Sequence, residues 1–169
     1  MHTRALRVGH GPTILVRPLR NGDLDTVLAF LHRVDGVSRR NRRNGAQARL
    51  TEHELWELAL VDATHHALVA YVDGDPDPVA FGRLVRSGRS AELAVEVAAD
   101  HRAGRIGAAL ARALLADAQA AGITEITASV PGDNPAAAAL LRQRLSALGI
   151  PLHGAELWIR GAIARPIAG

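Results

Sequence analysis

At 169 residues, nearly half of them hydrophobic, the chain has the size of one domain with a single substantial core. The absence of cysteine excludes disulfides, thiolate metal sites and a cysteine nucleophile. All 20 basic residues are arginines, so a formal charge of only +3 accompanies a pI near 10.8, and that balance does not by itself imply a nucleic-acid partner. Aromatics are scarce, which leaves alanine, leucine and valine to build the interior. Apolar runs stay short of membrane-spanning length and the first residues, M-H-T-R-A-L-R-V, lack an apolar signal core. A soluble cytoplasmic protein without membrane contact is the expectation.

Ile14 and Val16 predict a short strand bounded by Pro12 and Pro18. Asn21, Gly22 and Asp23 then supply helix start signals, with Leu24, Val27, Leu28 and Leu31 as the apolar stripe. Residues 36–49 carry Arg39, Arg40, Arg42, Arg43 and Arg49 with no acidic or aromatic residue. Such a run attracts anions, whether an acidic acceptor or a nucleic-acid backbone, or is a solvated loop between two helices. Surface charge runs favour the loop, and missing aromatics count against base stacking.

Thr51 and Glu54 are spaced as a capping box for a helix over 51–60. Ala67–Val72 and Val79–Val85 read as strands joined by the turn D-G-D-P-D-P at 73–78. Residues 86–89 turn the chain into a central strand, completing an antiparallel meander. Asp73, Asp75 and Asp77 imitate a calcium loop, but Pro78 and Leu84 stand where its glycine and glutamate belong. His65 and His66 are adjacent, so on a strand they point apart and cannot share one ion. No metal is expected.

The chain is organised around residues 91–121. Leu93, Val95 and Val97 alternate with Glu92, Ala94 and Glu96, a strand signature. Ile106, Leu110, Ala113 and Leu114 then form one stripe of a helix, and Arg102, Gly104, Arg105 and Gly107 lie at the junction. A helix start with close-approach glycines and arginines suits a phosphate. A plain strand–turn–helix connection explains the same glycines. Gly122 ends the helix, and 125–130 reads as another strand. Asn134-Pro135 opens a further helix with Ala138, Leu141, Leu145 and Leu148 on one face, followed by a strand-like tail over 152–161.

The segment R-A-G-R-I-G at 102–107, after a strand and opening a helix, resembles the acyl-CoA loop of the GNAT N-acetyltransferase superfamily, Q/R-x-x-G-x-G/A. Arg102 and Gly107 match it, whereas Arg105 stands at the first glycine. The stretch I-L-V-R-P-L-R-N-G-D-L-D at 14–25 resembles that family's opening strand and helix. G-D-N-P-A-A-A-A-L-L-R at 132–142 with Leu148-Gly149 resembles its late cofactor-side helix. The closest feel is of stand-alone protein-lysine acetyltransferase domains, which elsewhere are fused to cyclic-nucleotide or ligase-like modules.

The resemblance implies one α/β (α+β) domain over 1–169. Its central sheet would be mixed and mostly antiparallel, of six to seven strands flanked by about four helices, with the family's fourth and fifth strands splayed apart. It implies acetyl-CoA as co-substrate and a primary amine, on a protein lysine or a small molecule, as acceptor. Diphosphate would sit on the amides of Arg102, Ala103, Gly104, Arg105, Ile106, Gly107 and Ala108. The thioester and pantetheine arm would lie near Val97 and Ala98, with Asn134 on the arm or serving only as an N-cap. Glu92 or Glu96 would be the base, Glu92 ranked slightly ahead, although both also read as a solvent face. Leu141 stands where many members carry a tyrosine acid, and the sole tyrosine, Tyr71, is on an early strand. Water would then protonate the leaving thiolate. Arg105 and Leu141 also fit a non-catalytic acyl-CoA-binding module, and residues 39–49 a nucleic-acid-binding domain. Homodimerisation is left open.

Overall fold

A computed structural model describes residues 3–8, 13–41 and 50–128, with the side chains of 35–41 and 102–104 outside that description. Six strands form one sheet in chain order: β1 (Arg4–Arg7), β2 (Thr13–Pro18), β3 (His65–Val72), β4 (Ala80–Ser87), β5 (Ser90–Val97) and β6 (Glu125–Ala128). Among the described residues three helices accompany them: α1 (Leu24–Asn41), α2 (Glu52–Ala59) and α3 (Ile106–Ala120), with a 3-10 turn at Ala99–Gly104. Strands β1 to β5 pair antiparallel, as short connections require. β6 lies parallel to β5 because α3 carries the chain back across the sheet first. This is the mixed, mostly antiparallel sheet expected of the fold.

Alternation sets which side chains enter which layer. In β2, Ile14 and Val16 are buried while Leu15 between them is exposed. β3 and β4 are covered on both faces. Leu68, Ala70, Ala80, Leu84 and Leu93 meet Ile106, Leu110, Leu114 and Leu115 of α3. On the opposite face Ala67, Val69 and Phe81 meet Val27 and Phe30 of α1 and Leu58 and Ala59 of α2. The rings of Phe30 and Phe81 stack at 5.9 Å, and burying such a side chain contributes about 1.5–3 kcal/mol.

The helix signals work as the sequence suggests. Asp23 caps α1, its Oδ1 accepting the Thr26 N–H (3.1 Å). Asn21 reaches across to accept the Val61 N–H, and the capping box of Thr51 and Glu54 closes both ways. The β4–β5 hairpin is tighter than residues 86–89: Ser87 pairs with Ser90, and Gly88 (φ 60) fills the first turn position, where a two-residue type II′ turn needs glycine.

Three expectations change. β1 had no strand signal, because the adjacent Ala5 and Leu6 between two arginines show no alternation, yet it pairs fully with β2. Residues 36–41, expected as loop, continue α1 to Asn41. The α1 stripe centres on Val27 and Phe30, with Leu28 half-buried at its flank. The arginine run beyond Asn41, the end of the strand expected over 125–130, the family's strand splay beyond Ala128, the helix opened by Asn134 and the tail all lie outside the described residues.

Candidate active site

The junction between β5 and α3 is built from backbone geometry. After Val97 the chain leaves the sheet: Ala98 donates its N–H to the Val79 carbonyl (2.9 Å), and its own carbonyl accepts the His101 N–H (2.9 Å). The 3-10 turn that follows ends at Arg105, which adopts φ 55, ψ 15. Arg105 is the sole non-glycine with positive φ among the described residues, and it occupies the loop position where glycine is usual. The left-handed step swings the chain directly into α3.

The first intrahelical bond of α3 runs from the Ala109 N–H to the Arg105 carbonyl (3.1 Å). The N–H groups of Ile106, Gly107 and Ala108 precede it and take no partner from the helix itself. Arg105 makes no side-chain cap, and the first turn holds no acidic residue. With neither of these present among the described residues, the positive end of the dipole suits an anion. Gly107 has a packing reason as well: a Cβ there would come within 2.9 Å of Val97 Cγ2. Its missing side chain lets the helix start lie against the end of β5.

Along β5 the two expected carboxylates fall on one face. Glu96 stands opposite Phe81 and Glu92 opposite Val85, with Ala94 between them opposite Arg83. This is the face covered by α1 and α2. Both glutamates are half-buried. Arg83, which carries no motif in the sequence, is the buried charged residue of the sheet among the described residues, and its Nε has no hydrogen-bond partner among them. Burial pulls its guanidinium below the ordinary value, opposed by the charges of Glu57, Asp62 and Glu92. The signal was available: Arg83 shares a strand face with Phe81 and Val85, both apolar.

The remaining expected residues are distributed as follows. Of the two expected thioester-side positions, Ala98 has its N–H committed to Val79, which removes it as a donor. Val97 pairs with Ala80 at the adjacent position, so alternation turns its N–H toward the β6 side. Arg102, Ala103 and Gly104 lie in the 3-10 turn. Asn134 and Leu141 lie outside the described residues. Tyr71 is on β3, with β4 between it and β5, and its hydroxyl accepts from Arg17 Nη2 (2.8 Å). His65 and His66 do point apart: His65 contacts Asp62 (3.0 Å) and His66 contacts Asp117 of α3 (2.9 Å). In the 73–78 turn, Asp75 accepts the Asp77 N–H and pairs with Arg33.

A mostly antiparallel sheet whose fifth strand passes through a short turn into a helix that Arg105 does not cap defines an α/β domain suited to an anionic ligand at that helix start. The acetyltransferase (GNAT) family model matches residues 33–146, and the chain belongs to that family. Membership makes the protein an acyltransferase. Among solved structures it is similar to the GNAT domain of S. lividans PAT, at 22% identity and TM-score 0.68, over 83% of this chain and 85% of that one. It is also similar to an aminoglycoside acetyltransferase from an uncultured soil metagenomic sample (15% identity, TM-score 0.57, 87% and 93% covered). A third is the cAMP-binding acyltransferase from Mycobacterium smegmatis (23%, TM-score 0.57, 84% of this chain and 42% of that one), of which this chain spans less than half. These likenesses concern the fold. No curated protein matches the chain.

Proposed function

We propose that the protein transfers an acetyl group from acetyl-CoA to a primary amine, on a protein lysine or a small molecule, by direct attack within a ternary complex. The observation that carries this reading is the open start of α3, reached through the left-handed Arg105 at the end of β5. The amides of Ile106, Gly107 and Ala108 suit a diphosphate, and the thioester arm would run beside the end of β5 near Val97. Acetyl-CoA would supply the activated thioester. No metal enters the scheme.

Glu92 takes a proton from the acceptor ammonium, directly or through water. The freed nitrogen attacks the thioester carbon, the C–N bond forms and the C–S bond breaks. The thiolate leaves with the electron pair, and the proton that the attacking nitrogen sheds reaches it through water, since the Tyr71 hydroxyl is held by Arg17 away from β5. Glu92→Gln is expected to lower kcat by roughly 10²–10⁴ while leaving acetyl-CoA affinity intact. If Glu96→Gln alone produces that loss, the base is Glu96.

The test of the site uses Ala108→Glu. A carboxylate in the first turn favours the helix dipole by about 0.3–1 kcal/mol, so the unliganded variant should melt no lower than wild type. The same charge opposes a diphosphate, and acetyl-CoA should then lose at least about tenfold in affinity and most of its thermal stabilisation. Stabilisation by acetyl-CoA that is undiminished in Ala108→Glu would remove the diphosphate from this helix. CoA release with a panel of amines separates catalysis from mere binding.

A further inference from the structure

Three segments distant in sequence meet at Arg33 of α1. Its Nη1 donates to Asp75 Oδ2 (2.7 Å) in the β3–β4 turn, and its Nη2 donates to Asp100 Oδ2 (3.1 Å) in the 3-10 turn. His101 closes the group: its Nδ1 lies 3.0 Å from Asp100 Oδ1 and 3.4 Å from Arg33 Nη2. The Arg33 side chain is only 16% exposed, which sets it apart from a freely solvated surface pair. Burial alone would lower its pKa, but the hydrogen bonds and charges of Asp75 and Asp100 outweigh that and raise it.

The location gives the cluster its meaning. Asp100 and His101 belong to the turn that ends at Arg105 and α3, whereas Arg33 belongs to the helix covering the face of Glu92 and Glu96. A 3-10 turn has poorer hydrogen-bond geometry than an α-helix and gains most from outside anchors. Arg33 is such an anchor, with two carboxylates taken in a forked geometry that lysine cannot reproduce.

We propose that Arg33 is a positioning residue for the diphosphate loop, holding the turn over Ala99–Gly104 in register with α1 so that acetyl-CoA meets preformed amides. The inference rests on the acyl-CoA reading of that loop. It makes cofactor affinity depend on a residue of the carboxylate-bearing face, so binding on one side is felt on the other.

The experiment titrates acetyl-CoA calorimetrically into wild type, Arg33→Met, Asp100→Asn, the double variant and Arg4→Met. Hydrogen exchange is followed at residues 97–108. Arg4 pairs with Asp117 (2.6 Å) and joins β1 to α3 well along the helix, so its loss costs an ion pair without touching the loop. Arg33→Met is expected to weaken acetyl-CoA about tenfold and to speed exchange at 97–108. The double variant should lose no more than the worse single one, the mark of a shared contact. Arg33→Lys should recover part of the affinity, which keeps the question open to test if Arg33→Met folds poorly. Wild-type affinity in a folded Arg33→Met overturns the proposal. So does an equal loss in Arg4→Met, which would make the effect one of general stability. If wild type itself does not bind acetyl-CoA, the acyl-CoA reading falls first and this inference with it.

Discussion

Arg105 stores strain where the family pattern places glycine. A non-glycine residue in the left-handed region costs roughly 1–2 kcal/mol, and glycine gives part of that back through the greater freedom of the unfolded chain. Arg105→Gly is therefore expected to stabilise the fold by about 0.5–1 kcal/mol, read as a rise in the melting temperature. Arg105 is exposed at the helix start, and the proposed binding mode gives its guanidinium a diphosphate to pair with. The same substitution should then weaken acetyl-CoA about three- to tenfold, the worth of a solvent-screened charged hydrogen bond. A variant that is more stable and binds equally well would show that Arg105 serves only the backbone. The position was legible from its neighbours, Arg102 and Gly107, as an arginine standing where the pattern has glycine. The sign of φ was not, since it depends on how the turn over 99–104 is closed.

At the scale of elements, what could be read followed the strength of the periodic signal. β5, α3 and the capped α2 were legible from a clean period and terminal residues such as Thr51 or Gly122, and β3 from a continuous apolar run that both covered faces allow. β1 was not, since a four-residue edge strand with two arginines has almost no period to show. α1 ran past its expected end because serine and arginine tolerate helix well once an apolar face is docked. The face that docks includes Phe30 and the half-buried Val34. The closeness of α3 to the sheet was also hidden. Gly82 allows it: a Cβ there would approach Leu114 Cδ1 to 2.5 Å, and Gly107 plays the same part against Val97. One glycine in a strand and one in a helix start thus set how closely α3 lies against the sheet. Glu92 and Glu96 were legible as a same-face pair from spacing two pleats apart. Arg83 beside them had its own signal in apolar Phe81 and Val85 on the same face, but only the covering helices show that face to be buried.

For the whole molecule, the sheet separates two apolar layers, and Arg33 is a polar link that ties the α1 layer to the loop leading into α3. Its dependence on charge can be tested by pH. Burial raises the pKa values of Asp75 and Asp100. Hydrogen bonds outweigh it, from Asp77 and Arg33 on Asp75 and from His101 and Arg33 on Asp100, and both carboxylates end below their ordinary 3.8. A depressed carboxylate contributes stability above its unfolded pKa, and that contribution is lost as pH falls through the folded value. Asp62, held far lower chiefly by the Thr64 N–H with His65 beside it, is unchanged in the comparison and cancels. Unfolding free energies of wild type and Arg33→Met, measured by urea titration from neutral pH downward, should therefore differ by a constant amount until about pH 4. They should converge below it, where the two carboxylates take up protons. A gap that persists undiminished into strong acid would mean that Arg33 acts through the packing of its aliphatic stem, and that the link between the two layers is steric rather than ionic.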